Sequence, residues 1–510
     1  MSIRPIKDIK LNVRPIYIDF CHRYVYEGPC RFGKGDELAY EFDQAMNAEN
    51  FKKYVADLKA NMPEWVNLMD PIEVQRTDDW RIPDEMLETM AADYQEVDYY
   101  LYNDGARCGD VMLEFSLRYP KPCTCLSDCR GSTLINASLL SHGVECYPVD
   151  GWEELRRVLT AARVRKMLRE LRVLTTYRFN AVQSGISAPD SFNSLDKVTE
   201  VFGTRFRMIN LHELMDMLHV IPCTENPTTP GRHSLNLTEE DMAEIAAMAD
   251  QLMAGAKYNP VTREDVINTL KMFKVIRKNM DSEDCNAFAA PCGDACSTRR
   301  LNEERCTMCM THSLNNECGL PSACEYDLTA LICMAILMGV SGKAPYMSNT
   351  IRCKVEADGS FPACGFIPKE DLVHLAGRDD LVLTYHSVTN RKLHGFDSEE
   401  SDYGMMPFAY SGWAATMRYD FNQDRGEYVT QIRIDPNCKQ MLIVRGVVEA
   451  GFGHNLANCS NGLVISLKDP DAMIRAQQRF GLHLPLVLGD YVEELKQVAE
   501  MYGLEPVVCL

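Results

Sequence analysis

The stretch Leu320-Pro321-Ser322-Ala323-Cys324-Glu325-Tyr326-Asp327 leads directly into an apolar run, Leu328 to Val340, that only Thr329 and Gly339 soften. Such a run predicts a buried helix. A carboxylate at the mouth of a buried helix is poorly solvated unless something pairs with it. A metal ion or a proton-transfer role accounts for one acidic residue at this place. An N-cap at Asp327 accounts for the other, because Asp favours that position and helix N-termini favour negative charge.

Working outward toward the N-terminus, strands and helices alternate. Val13–Phe20 reads as a buried strand, followed by helical sequence around Glu37–Ala60, a run at Val97–Tyr102 and another at Asp110–Phe115. This alternation predicts an α/β domain with a mostly parallel sheet over residues 1–171. Its last helix, from Trp152, leads into the strand Arg172–Thr176, which starts a second α/β domain over 172–280. That domain continues with a helix at Ser194–Phe202, a strand at Arg205–Asn210 and a helix at Leu211–Leu218. A polar loop follows from Cys223 to Arg232. Helix starts are then marked at Thr238, which faces Asp241 in a capping box, and at Thr262.

The region 281–510 differs in character. Strand-like runs occur at Leu381–Tyr385, Tyr428–Ile434, Gln440–Val444 and Gly462–Ser466, which predict a mainly antiparallel sheet or barrel. The end returns to a strand at Leu484–Leu488, a helix at Tyr491–Tyr502 and a last strand at Glu505–Cys509. The expected fold class is therefore α/β. Two N-terminal parallel-sheet domains precede a C-terminal domain with antiparallel structure.

At 510 residues the chain is too long for one core. A formal net charge of -20 argues against a partner that is nucleic acid or an anionic membrane surface. No apolar run approaches the roughly 20 residues that span a bilayer. Met1–Lys7 lacks the apolar core of a signal peptide, so a cytoplasmic protein is expected. In that setting the 21 cysteines are expected as thiols or metal ligands rather than disulfides.

Cys285, Cys292, Cys296, Cys306, Cys309, Cys318, Cys324 and Cys333 crowd one segment, but only Cys306-Thr307-Met308-Cys309 has CxxC spacing. A zinc or iron–sulfur site would need a second such pair, so buried thiols are the simpler expectation. Cys123, Cys125 and Cys129 read the same way. The loop Gly28–Gly35 follows the first strand, where α/β proteins bind ligands, and offers Arg31 and Lys34 for a polar substrate. It lacks phosphate-loop spacing. Three histidines sit beside apolar strands, His386, His454 and His483. With Glu325 they can supply a mixed carboxylate and imidazole site for Mn²⁺ or Mg²⁺.

Three of these pieces together resemble the L-fucose isomerase and L-arabinose isomerase superfamily. The first is Leu320–Asp327 with its helix and the following Gly342-Lys343-Ala344-Pro345-Tyr346-Met347-Ser348-Asn349. The second is Asp380–His386, and the third is Gly481–Asp490 around His483. The likeness is best from about Asn302 to Leu510. It implies that Glu325 is a metal ligand and acid/base group, and that His386 and His483 are ligands. It also implies Mn²⁺ as the metal, with Mg²⁺ possible, and a homo-oligomer, trimer or hexamer.

The family places a second carboxylate where this chain has Ser348 and Asn349. Asn349 can ligate a hard cation through its carbonyl oxygen but cannot act as a base. Asp327, Glu317 and Glu449 are the candidates for a replacement acid, and Glu325 acting alone is the other solution. The resemblance implies an aldose–ketose isomerase that works on an open-chain monosaccharide through an enediol. Its substrate would be fucose-like, arabinose-like or a modified hexose, with Arg31, Arg299 and Arg300 leaving room for a charged one. The alternatives are a non-catalytic sugar- or metal-binding protein on the same fold, and a cysteine-ligated zinc or redox protein.

Overall fold

The first buried strand of the sequence lies within β1, Leu11–Cys21, which is covered along nearly its whole length. Continuous rather than alternating burial is what a strand inside a parallel sheet requires, since helices cover both faces. β2 (Val66–Leu68), β3 (Ile72–Thr77) and β4 (Tyr99–Tyr102) pair parallel to β1, and β5 (Cys123–Cys125) extends the sheet beyond β4. The computed structural model describes residues 3–27, 33–103, 108–126, 130–177, 188–221 and 235–510. It divides into two compact units, Ile9–Lys166 and Met1–Asp8 with Met167–Leu510. The β1–β5 sheet belongs to the first of these.

The run Asp110–Phe115 lies in the helix Gly109–Arg118. Its buried residues Val111, Met112 and Phe115 follow a helical spacing, and that period outweighs the density of apolar residues. Arg31, Cys129 and the Cys223–Arg232 loop lie outside the described residues.

In the second unit, β6 (Arg172–Tyr177), β7 (Arg205–Asn210), β8 (Ala287–Ala289) and β9 (Ser322–Ala323) form a parallel sheet in the order β7-β6-β8-β9. β9 ends at the stretch on which the sequence reading turned, and the helix Leu328–Ser341 follows at once. Every residue of that helix from Leu328 to Gly339 is buried. Asp327 caps it, accepting a hydrogen bond from Ala330 N at 3.0 Å. Gly342 ends it at φ +67°, the left-handed turn that glycine adopts most cheaply.

The chain then builds the antiparallel part. β10 (Asn349–Arg352), β11 (Leu381–His386), β14 (Tyr428–Ile434), β15 (Gln440–Phe452), β16 (Asn461–Ser466) and β17 (Leu486–Leu488) pair in the order β10-β11-β16-β15-β14-β17. β18 (Glu505–Cys509) joins β15 in parallel. β12 (Gly404–Pro407) and β13 (Ala415–Arg418) make a separate two-stranded antiparallel pair. The fold is thus mixed α/β, with parallel sheets first and a largely antiparallel sheet toward the C-terminus, as the pattern of periods implies.

Asp19 on β1 carries a testable electrostatic cost. It is buried, and its Oδ1 has no hydrogen-bond partner among the described residues. Burial first, and Glu73 second, push its carboxyl from 3.8 up to about 7. Folding therefore takes up a proton at pH values between these limits. The stability tied to that proton is full below about pH 4 and is lost as pH rises through about 7. We expect the urea midpoint of the full chain to fall between pH 5 and 8, and Asp19→Asn to flatten that fall.

Candidate metal centre

Glu325 leaves β9 on a strained backbone. Both Glu325 and Tyr326 have φ +60°, a region that costs a non-glycine residue roughly 1–3 kcal/mol and persists only when its surroundings enforce it. Two main-chain hydrogen bonds do so: Tyr326 N donates to Ala290 O at 2.9 Å and Asp327 N donates to Cys324 O at 3.1 Å. The turn leaves Glu325 as the one partly exposed side chain of a group whose other members are wholly buried.

Those members are His386 and His483. His386 is the last residue of β11, in register with Asn461 of β16. His483 precedes β17 and is bridged through its backbone to Asn349. The Nε2 atoms of His386 and His483 lie 3.4 Å from Glu325 Oε1 and Oε2 respectively. One ligand atom from each of the three residues can be chosen so that all lie within 4.8 Å of one another.

A further carboxylate holds this group in place. Asp327 Oδ2 accepts from His483 Nδ1 at 2.8 Å and from Arg433 Nη1 at 2.7 Å. With Nδ1 occupied, Nε2 of His483 is turned toward Glu325, the arrangement by which proteins orient a metal-binding imidazole. Arg433 is held in turn by Phe480 O, His483 O and Asp190 O at 2.8, 2.9 and 3.1 Å. Gly481, at φ +130°, lets the guanidinium approach, because a Cβ there would collide with Arg433 and Asp190.

Burial alone would raise the Glu325 carboxyl, but the imidazoles of His386 and His483 beside it outweigh burial and hold the acid well below its ordinary range. Asp327 is held low in the same way, burial being overcome by Arg433 and His483. Burial would lower the His483 imidazole, yet Asp327 and Glu325 lift it to about 9. The group therefore attracts positive charge, which protons or a cation can supply.

Hydrogen bonding tests whether a metal fits. Neither ring nitrogen of His386 and not Nε2 of His483 has a hydrogen-bond partner among the described residues, although all three are buried. Each such orphan costs about 1–3 kcal/mol. A divalent cation between two imidazoles and a carboxylate would take up one orphaned nitrogen of each ring, and this donor set suits first-row divalent ions.

The structure thus brings Glu325, His386 and His483 together. Asn349 lies beside them through its backbone bridge to His483. His454 stands elsewhere, its Nδ1 3.6 Å from Asp420 and its carbonyl bonded to Tyr258. Asp327 is committed to His483 and Arg433. Glu317 is gripped by Arg391, and Glu449 by Arg378 at 2.7 and 3.1 Å, so ion pairs hold all three candidates for a replacement acid. Arg300 is paired with Asp216. Among the described residues no cysteine joins a three-ligand group within 4.8 Å. Sulfur contacts such as Cys324 to Cys292 at 3.3 Å remain between thiols.

Two neighbours escaped the sequence reading. Arg433 could have been noticed as a lone charge inside the strand Tyr428–Ile434. His312 gives no such signal. It is buried, with Nδ1 2.8 Å from Ser322 Oγ, and burial with the nearby His386 pushes it down to about 3, so it stays neutral.

Fold and site together define a mixed α/β protein with a Glu/His/His group able to hold a metal ion. Its relatives include two curated proteins named sulfoquinovose isomerase, from Priestia aryabhattai and Priestia megaterium. Each is 24% identical over 310 residues, which are 59% of this chain and 61% of the relative. The chain therefore spans about three-fifths of the length of these relatives. No protein-family model matches the chain.

The role of Asp327 can be measured without any substrate. Asp327→Asn leaves a weaker acceptor for His483, and we expect Mn²⁺ affinity in calorimetry to drop by about 10–100-fold. An unchanged affinity in a variant that still melts cooperatively would remove Asp327 from the metal-site support.

Proposed function

We propose that the protein is a metal-dependent aldose–ketose isomerase acting on an open-chain sugar through an enediol. One observation carries this reading: an ionised carboxylate and two unsatisfied imidazoles, brought from three distant segments, meet at a strained turn. The names of the relatives support it and point to sulfoquinovose, a hexose with a sulfonate, ahead of a fucose-like or arabinose-like sugar.

Glu325, His386 and His483 would hold the metal, with Asn349 as a further oxygen donor. Two imidazoles favour Mn²⁺ over Mg²⁺. When bound, the ion supplies Lewis-acid stabilisation of the negative charge that develops on the substrate oxygens. The protein handles the proton. Ionised Glu325 accepts it from C2 of the aldose, leaving an enediolate, and returns it to C1 on the same face, while the proton of the C2 hydroxyl passes to the C1 oxygen. One acid can serve both transfers because the proton never has to leave it. His386 and His483 hold Glu325 from either side. Asp327, fastened by Arg433, keeps His483 from turning away.

A second reading is a sugar- or metal-binding protein without turnover. The Ser348-Asn349 pair favours it, because a second carboxylate is missing at that place. Ser348 is committed by its hydroxyl to Leu484 O at 2.9 Å.

The two readings separate in one set of assays. Aldoses, the sulfonated hexose among them, are incubated with Mn²⁺-loaded protein and ketose is followed by NMR. We expect conversion, its loss on chelation and its return with Mn²⁺. Glu325→Gln should lower turnover by at least about 10²–10⁴-fold while leaving the melt cooperative. Sugar binding with no ketose formed would select the second reading.

A further inference from the structure

Arg418, at the end of β13, is completely buried, yet among the described residues no carboxylate pairs with its charge. Nη2 donates to the carbonyl of Asn458. Nε and Nη1 have no hydrogen-bond partner among the described residues, and no carboxylate there forms an ion pair with the group. Arg433, equally buried, shows the usual arrangement, with Asp327 at 2.7 Å and Asp190 at 3.4 Å. The acidic groups that act most on Arg418 are two thiols and two phenols, Cys459, Cys309, Tyr346 and Tyr258, and burial pushes its guanidinium below the ordinary range. A buried charge with unfilled donors is a standing cost to the fold, which an anion would relieve.

Two routes through neighbouring residues tie its surroundings to the Glu/His/His group. Tyr419, the next residue, exchanges two hydrogen bonds with the Asn461 side chain, at 2.9 and 2.8 Å, and Asn461 is the register partner of His386. On the other side, Asn458 is followed by Cys459, whose Sγ lies 3.4 Å from Ser387 Oγ, next to His386. The wall over the guanidinium is a loop between β15 and β16 rather than a packed element. Asn458 is in the left-handed region at φ +72° and Cys459 is only half-buried. Surface loops are the parts of a fold that most readily shift to admit a ligand.

We infer that Arg418 receives an oxyanion on the distal carbon of the sugar whose reacting end lies at Glu325, which makes it the residue that selects an anionic aldose over a neutral one. This rests on the proposed isomerase reading and adds to it the residue that reads the substrate's charge. Sulfonate, phosphate and carboxylate share the chemistry a guanidinium recognises, several oxygens that accept from its fork. Among them the sulfonate is the expected partner, given the relatives' names.

The test is equilibrium binding to the Mn²⁺-loaded full chain, by calorimetry, of four aldoses that differ only at C6: hydroxyl, sulfonate, phosphate or carboxylate. We expect the sulfonate to bind at least about 30-fold tighter than the hydroxyl, the scale on which losing one partner of a buried charge pair acts. Arg418→Met should collapse that ratio to within about threefold. Arg418→Lys, which keeps a charge but loses the fork, should fall between. A wild-type ratio near one for all three anions overturns the inference, as does a ratio that survives in Arg418→Met. If neither variant melts cooperatively, the wild-type ratios decide alone. A phosphate or carboxylate preference that depends on Arg418 keeps the anion site and overturns the sulfonate assignment. Because the readout is binding, an Arg418-dependent preference without ketose formation would sustain this inference and sink the isomerase. Ketose formation with no preference would do the reverse.

Discussion

The carboxylate of Asp327 is shared by three donors, and the geometry of the whole centre depends on that sharing. Ala330 N takes one oxygen and starts the buried helix, while Arg433 and His483 take the other. A charge with no access to water is tolerable only when its hydrogen bonds are complete and an opposite charge is in contact. Here the same group caps a helix, neutralises a buried arginine and turns an imidazole. Helix start, antiparallel sheet and candidate ligand are thereby fixed relative to one another, since β14 carries Arg433 and the segment before β17 carries His483.

Against that rigid frame stands a deliberately costly turn. Glu325 and Tyr326 occupy left-handed backbone, and three imidazole nitrogens around them are left without hydrogen bonds. Strain and unsatisfied donors are disfavoured in an ordinary core, where each would be repacked away. Their concentration around one carboxylate, at the C-terminal end of a parallel strand, is the physical basis for reading this place as a centre for a cation. The unfilled donors of Arg418, close by, extend the same logic to an anion.

Much of the fold was legible because it rests on local periodicity. The continuous apolar run of β1, the capping box of Thr238 with Asp241, and the strands at Tyr428–Ile434 and Gln440–Val444 all appear where their patterns place them. The run Asp110–Phe115 carries no assignment in the sequence because its apolar density hides the helical period of Gly109–Arg118. Within the site, Glu325, His386 and His483 were found through motif resemblance, and their convergence is a separate, geometric fact. Arg433 was not found, since a residue whose partner lies 106 positions away in the chain, as Asp327 does from Arg433, leaves no trace in spacing.

The sequence by itself determined the alternation of elements, the buried helix after Asp327 and the residue types available for a metal. Those follow from side-chain period and composition, which are local. Only the tertiary structure decided that His386 and His483 face one carboxylate, that Asp327, Glu317 and Glu449 are tied up by His483 and arginines, and that of the buried Arg433 and Arg418 only Arg433 finds an acid among the described residues. Pairing and desolvation are properties of neighbours brought together across the chain. They come into existence only when the sheets have closed around the Leu328–Ser341 helix.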